Sequence, residues 1–375
     1  MAFLKPLLLL LLLLAAGYQV AACLLVWRFL RESTDPPAEG DWPGLSQIKP
    51  VSGREPELEA CLASFLDQDY PGPWEVLFCG SGLPAARRAA ARFPGVPVRF
   101  VDEQGPGTNR KMASAAPAQG LCAHEILVLS DADMRASRDY LRRVAAGFRD
   151  PAVGVVTALY VVRRARGPGA ALEGLSVADF AASVLVAREV EGLSFALGAT
   201  MAVRRRTLAD IGGLAALRDH LADDYQLGYR ARRAGWKVAL AGTVLEDVVG
   251  QVSLGEYLSH QLRWMRTYRL CRPAGHVQYL VTQGLLWALL LWATGGSGAW
   301  LGLWLALRAA TCSASWFMLA RSPVAAWALL TPLKDLVYLA LWVLSLTGST
   351  VRWGEQVYRV HPDGRMEEVA SSLRR

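Results

Sequence analysis

Ile126-Leu127-Val128-Leu129-Ser130-Asp131-Ala132-Asp133 decides how this chain is read. Four consecutive apolar residues fit a strand buried on both faces, as in a parallel sheet. The run ends in Ser130 and two aspartates one residue apart. Alternation along an extended chain puts Asp131 and Asp133 on the same side. In an open α/β sheet, ligands bind at the carboxyl ends of the strands. Paired carboxylates there suit a hard divalent cation, which takes one or two such oxygens and fills its shell with phosphate oxygens and water. Mg2+ or Mn2+ on Asp131 and Asp133 is the expectation. Aspartates also favour ordinary solvated turns, so the surrounding chain must agree.

Working outward, the segment from Ser46 to Tyr160 alternates two periodicities. Gln47–Val51, Trp74–Cys79, Val96–Val101, Glu125–Leu129 and Val153–Leu159 read as strands. Pro56–Gln68, Leu83–Phe93, Lys111–Gln119 and Arg138–Phe148 read as helices; Leu58, Cys61, Leu62 and Phe65 share one face of the first. Strands alternating with helices predict an α/β domain, a mostly parallel sheet with helices on both faces.

Three further groups carry chemistry. Asp223-Asp224-Tyr225 holds two adjacent carboxylates whose repulsion raises one pKa, which suits a general base near an acceptor hydroxyl; helix N-terminal capping is the plainer alternative. His260-Gln261-Leu262-Arg263-Trp264 lies on a helix opened by the capping box Ser253-Leu254-Gly255-Glu256. Spacing brings His260, Arg263 and Trp264 to one face, offering a cation and a flat ring; an interfacial amphipathic helix is the alternative. Asn109-Arg110-Lys111 follows Gly105-Pro106-Gly107, a loop able to approach a ligand, with Lys111 free to meet a diphosphate or to be one more surface cation.

The rest of the chain is apolar enough to need a membrane. Of its 375 residues 53% are hydrophobic, yet 19% are charged, which fits a polar block with membrane segments attached. Leu7–Trp27 is long enough to span a bilayer, which takes ~20 residues, and exceeds the ~7–15 apolar residues of a cleaved signal peptide. Arg28 and Arg31 after it, against Lys5 before it, place the following domain in the cytoplasm. Tyr279–Ala293, Trp300–Leu319 and Leu336–Leu346 are further spans, with Pro323–Leu330 joined to the last or interfacial, and Lys334 and Asp335 at a span edge. The expected domains are an anchor at 1–30, a catalytic block at 40–275, membrane helices at 276–348 and a tail at 349–375. In that tail Val351–Val360 reads as a hairpin without assigned function.

The net charge is +7, and Arg204-Arg205-Arg206 is the densest basic run. No zinc-finger or RNA-binding signature accompanies it, so nucleic acid is not an expected partner. Six cysteines without a C-x-x-C pair give neither a disulfide framework nor a zinc site.

In this order the segments resemble the family 2 and family 21 glycosyltransferases, above all the ceramide glucosyltransferase group and its bacterial hopanoid-biosynthesis relatives. Ile48-Lys49-Pro50, Asp67-Gln68-Asp69-Tyr70-Pro71, Glu75–Cys79, Asn109-Arg110-Lys111, Asp131-Ala132-Asp133, Leu221–Tyr225 and Arg263-Trp264 carry the resemblance across Gln47–Pro273. It implies a GT-A fold and inverting transfer from a UDP-sugar to a membrane lipid. Asp224 would be the base, supported by Asp223. Asp131 and Asp133 would hold the metal and diphosphate. Lys49, Asn109, Lys111, Asp131, His260, Arg263 and Trp264 would contact the donor. Within the group the resemblance leans to N-acetylglucosamine on a bacteriohopane polyol, in a multi-pass protein of a bacterial inner membrane. Ceramide glucosylation is the first alternative; a processive polysaccharide synthase and a non-catalytic membrane scaffold are the others. Two positions depart from the pattern. His260 stands where the motif has Gln or Arg. The second strand ends Phe78-Cys79-Gly80-Ser81-Gly82, without the early aspartate that helps bind the nucleotide, so either nucleotide binding differs there or Asp102 or Glu103 substitutes.

Overall fold

The computed structural model describes residues 3–32, 42–321, 325–354 and 356–369. The chain divides into two compact units that interleave in sequence. A helical unit comprises Met1–Arg31, Val162–Val190 and Gln251–Asp363; a sheet unit comprises Glu32–Val161, Glu191–Gly250 and Gly364–Arg375. The expected catalytic block at 40–275 is therefore cut: its residues 162–190 and 251–275 cluster with the helical unit.

The sheet unit contains β1 (Leu45–Pro50), β2 (Trp74–Cys79), β3 (Val98–Val101), β4 (Ile126–Leu129), β5 (Met134–Arg135), β6 (Val153–Val161), β7 (Met201–Arg204) and β8 (Lys237–Asp247). They form one sheet in the order β3-β2-β1-β4-β7-β6-β8-β5. Pairing is parallel from β3 to β4 and between β6 and β8; β7 and β5 run against their neighbours. The expected mixed α/β architecture is what forms.

β4 shows why both faces are covered. Ile126 and Val128 join a core with Phe65, Tyr140 and Leu141, whereas Leu127 and Leu129 join another with Met112, Val203 and Leu227. Each buried leucine or valine stabilises by about 1.5–3 kcal/mol, so a one-residue slip of β4 would exchange its contents between two filled cores. The three arginines of the basic run serve this scaffold. Arg204 donates to the carbonyls of Val153 and Phe148, Arg205 to those of Cys122 and His124, and Arg206 to that of Pro151.

In the helical unit, Leu4–Glu32, Pro168–Val190 and Ala299–Ala320 are long and apolar enough to cross a membrane. Pro168–Val190 was not among the expected spans; its Glu173, Asp179, Arg188 and Glu189 dilute the apolar signal. Tyr279–Ala293 is broken at Gln283 into a 3-10 turn and the ten-residue helix Gly284–Ala293. The last helix is Thr331–Ser345. The start of the Pro323–Leu330 expectation lies outside the described residues.

Lys334 and Asp335 lie near the start of this last helix and are buried, 2% and 8% exposed, rather than in a solvated loop. Arg308 donates to Asp335 Oδ2 and Oδ1 at 3.0 and 3.1 Å and to Asp179 Oδ1 at 3.2 Å. Lys334 lies 3.2 Å from Asp335 Oδ1 and pairs with Asp179. The expected hairpin forms between Thr350–Trp353 and Gln356–Val360.

Candidate active site

β4 stops at Leu129, and Ser130–Asp133 form a turn in which the Met134 amide donates to the Asp131 carbonyl at 3.4 Å. Strand alternation therefore does not set the aspartate side chains, and they meet different neighbours. Asp131 Oδ1 lies 2.7 Å from Lys111 Nζ. Asp133 keeps a buried Oδ1 that accepts no hydrogen bond; burial, with the Asp131 charge adding, pushes its pKa up to about 7.

Lys111 joins this turn to the second acidic group. Its ammonium is also 3.0 Å from Asp223 Oδ2. Burial opposes the charge, but Asp131, Asp223 and Asp224 outweigh it and hold the ammonium well above the usual lysine range. Asp223 and Asp224 open the helix Asp223–Arg233, where the helix dipole favours negative charge. Asp224 Oδ1 accepts from its neighbour Tyr225 N at 2.7 Å and Oδ2 from Gly198 N at 2.9 Å. Burial and then Asp223 raise the Asp224 pKa to about 6, against the pull of Lys111. A carboxyl raised toward neutrality suits a general base.

Gly198 was not anticipated. Its carbonyl accepts from Asp131 N at 3.1 Å while its amide serves Asp224, so one residue ties the two acidic elements together. A Cβ there would lie 2.4 Å from Asp131 Oδ2, so any other residue would push the Asp131 carboxylate aside. Gly228 does the same for the helix: a Cβ would lie 2.4 Å from the Phe195 backbone. Thr157 on β6 fixes the loop, accepting from Leu197 N at 2.8 Å and donating to the Thr200 carbonyl at 2.7 Å. A lone glycine beside an apolar strand, signalling close backbone approach, was the available clue.

Two of the expected ligand contacts, Lys49 and Asn109, are buried and hydrogen-bonded within the protein. Lys49 is 1% exposed, and its ammonium donates to Ser130 Oγ at 2.8 Å and the Asp131 carbonyl at 2.6 Å. Burial pushes its pKa down to about 7. Asn109 is fully buried; its Oδ1 caps the helix at Met112 N, and its Nδ2 donates to the His220 carbonyl at 2.8 Å and Asp223 Oδ1 at 3.3 Å. Both shape the acidic site from beneath. Asp102 and Glu103, the expected substitutes for the missing early aspartate, are exposed just after β3. Where that aspartate would stand, Gly80 (φ 99°) and Gly82 pack against the end of β1: a Cβ on Gly80 would lie 2.7 Å from the Val51 carbonyl.

The residues suit a divalent cation. Four carboxylates, Asp131, Asp133, Asp223 and Asp224, face two lysines, Lys49 and Lys111, leaving two negative charges in excess. Asp133 Oδ1 has no donor. Among the described residues no three His, Cys, Asp or Glu gather as a closed metal site. Two carboxylates with phosphate and water completing the shell is the arrangement that Mg2+ accepts.

His260, Arg263 and Trp264 belong to the helical unit, on Leu254–Cys271, whose predicted capping box forms: Ser253 Oγ accepts from Glu256 N at 3.2 Å. His260 Nδ1 approaches Glu173 Oε1 at 2.8 Å, and its ring meets the Trp264 ring edge-on at 4.7 Å. Trp264 in turn packs on Phe180. Glu173 also accepts from Gln261 Nε2 at 3.0 Å.

Among known proteins, the sequence model of Glycosyl transferase family 21 matches residues 7–366. Ceramide glucosyltransferase 3 of Caenorhabditis elegans is 22% identical over 231 residues, 60% of this chain and 50% of that protein. Ceramide glucosyltransferase 1 of the same organism is 23% identical over 265 residues, 68% of this chain and 57% of that protein. The chain thus spans about half the length of the curated relatives it matches. A solved mannosyltransferase, PcManGT from Pyrobaculum calidifontis in complex with GDP-Man and Mn2+, superposes over 92% of this chain and 99% of its own, with a TM-score of 0.50 and 21% identity. At that identity the likeness concerns the fold, which is of the GT-A kind.

Proposed function

The chain belongs to glycosyl transferase family 21, and from that premise we propose that it transfers a sugar from a UDP-sugar to a hydroxyl of a membrane lipid with inversion. One observation carries the reading: Asp131 and Asp224, from segments about ninety residues apart, meet across Gly198 and Lys111. A base and a diphosphate-holding acid must both lie close to a reacting sugar, and the linkage of these two segments supports that reading.

The acceptor hydroxyl gives its proton to the Asp224 carboxylate as its oxygen bonds to the anomeric carbon. The bond from that carbon to the diphosphate oxygen breaks, and UDP departs with the electron pair. Mg2+ or Mn2+ bound by Asp131 and Asp133 would supply neutralisation of the diphosphate charge. Lys111 holds Asp131 and Asp223 in register and adds positive potential where that charge develops. Arg263, Trp264 and His260 carry the family's diphosphate-contact role by sequence resemblance. Three helices able to cross a membrane support a lipid acceptor and a multi-pass protein, and Arg28 and Arg31 after the first favour a cytoplasmic sheet unit.

For the acceptor, resemblance around Phe195–Met201 and Leu221–Gly228 favours a bacteriohopane polyol receiving N-acetylglucosamine. The names of the relatives favour glucose on ceramide. Mass spectrometry of lipids from cells with and without this chain separates them. A sugar-bearing hopanoid lost with the gene supports the first reading, and a lost glucosylated sphingoid the second. An unchanged lipid profile, with precursors present and protein expressed, overturns lipid glycosylation and points to a polymer synthase or a scaffold.

A further inference from the structure

After the helical unit and its hairpin, the chain re-enters the sheet unit at Gly364. It does so against the loop that launches the acidic pair. The Leu221 amide donates to the Gly364 carbonyl at 3.2 Å, and the Met366 amide donates to the Asp219 carbonyl at 2.7 Å, bracketing an antiparallel bridge between His220 and Arg365. Thr108 Oγ1 donates to the Met366 carbonyl at 3.3 Å, and Thr108 N to Asp219 Oδ1 at 3.0 Å. Met366 is 4% exposed. Gly364 adopts φ 84°, a left-handed conformation that turns the tail onto the loop.

This tail therefore pairs with Asp219–Leu221, two residues before Asp223. The same loop is gripped from its other side by Asn109, whose Nδ2 reaches the His220 carbonyl and Asp223 itself. The start of the Asp223–Arg233 helix is thus fixed between two backbone-bonded segments, from residues 108–109 and 364–366. Without the tail, the Leu221 amide and the Asp219 carbonyl lose their partners, and the helix start is held from one side.

We infer that residues 364–366 are a positioning strand of the active site, which sets Asp223 and Asp224 against the donor through the Asp219–Leu221 loop. The inference rests on Asp224 as the base. Catalysis is sensitive to such placement, since a shift of about 1 Å can cost on the order of 10²-fold in rate.

Full-length enzyme in detergent tests it, with UDP-glucose or UDP-N-acetylglucosamine as donor, a lipid extract as acceptor and UDP release as readout. Met366→Pro removes the donating amide, Met366→Leu keeps amide and bulk, and a chain ending at Asp363 removes the strand. Met366→Pro should lower kcat at least tenfold with the donor KM within about twofold, and quicken amide exchange at 219–225. Met366→Leu should stay within about threefold of the parent. A synthetic peptide of residues 361–369 should restore part of the truncated enzyme's turnover. Parental kcat in either Met366→Pro or the truncated chain overturns the inference, as does an equal loss in Met366→Leu and Met366→Pro. The two readings fail separately: near-normal turnover in Asp224→Asn removes the base assignment, whereas an impaired Asp224→Asn beside an unimpaired Met366→Pro removes the strand's role.

Discussion

In the helical unit, Arg308 and Lys334 meet Asp179 and Asp335, two charges against two. In the sheet unit, Lys49 and Lys111 meet Asp131, Asp133, Asp223 and Asp224, two against four. Both groups are largely buried, and both join segments far apart in sequence. The first is closed: Arg308 grips Asp335 with two nitrogens, and the Asp179 oxygens accept from Arg308 and Lys334. Nothing is left for a ligand. The second keeps an unmatched oxygen on Asp133 and two raised carboxyls. An excess of two negative charges is tolerable in a folded protein when a divalent cation and a substrate complete it. Balance marks a fastening, and imbalance marks a site.

The largest test of that contrast is Asp224→Asn. A positioned base contributes roughly 10²–10⁴-fold, so turnover should fall by that factor while the melting temperature and UDP binding stay near the parent's. Near-normal turnover would move the base elsewhere.

Next comes a difference of sign between the two groups. Lys334→Met leaves Asp179 and Asp335 facing Arg308 alone and should destabilise by about 3–5 kcal/mol, the cost of an uncompensated buried charge. Asp133→Asn removes one of four crowded carboxylates, so the metal-free protein should melt no lower than the parent, or a few degrees higher. Mn2+ with UDP should raise the melting temperature of the parent but not of Asp133→Asn. Equal destabilisation in Lys334→Met and Asp133→Asn would abolish the distinction.

The smallest effect is in pH. As the proposed base, Asp224 would act only as the carboxylate, and burial and Asp223 raise its pKa to about 6. The base form is thus present above about pH 6 and lost as pH falls through it. kcat/KM should be level above that point and drop about tenfold per pH unit below it. A profile flat down to pH 5 would show a base with an ordinary carboxylate pKa.

Much of this was legible in the chain itself. The apolar run Ile126–Leu129 ending in two aspartates located a sheet strand and the acidic turn that follows it, because buried strands and the turns that end them differ in composition over a few residues. Ser253 and Glu256 announced their helix because a capping box is local chemistry. Asp223-Asp224 stood out as a pair because adjacent charges need a reason. The order of these pieces, more than any one of them, carried the resemblance to the family.

Other features had no local sign. Lys49 and Asn109 look like ligand contacts in sequence, yet each is buried under the acidic loop by partners eighty to more than a hundred residues away. Gly198 carries no side chain to suggest a role, and its importance lies in two backbone bonds and a space that a methyl group would fill. Pro168–Val190 carries Glu173 and Asp179 within an apolar helix because partners on other helices meet them, Gln261 and His260 at Glu173 and Arg308 and Lys334 at Asp179. Periodicity, capping and turn chemistry act over a few residues, so sequence by itself determined the elements and the kinds of residue at the site. Which carboxylate meets which lysine, and which backbone approaches closely enough to exclude a Cβ, depends on packing between distant segments, and only the tertiary structure decided it.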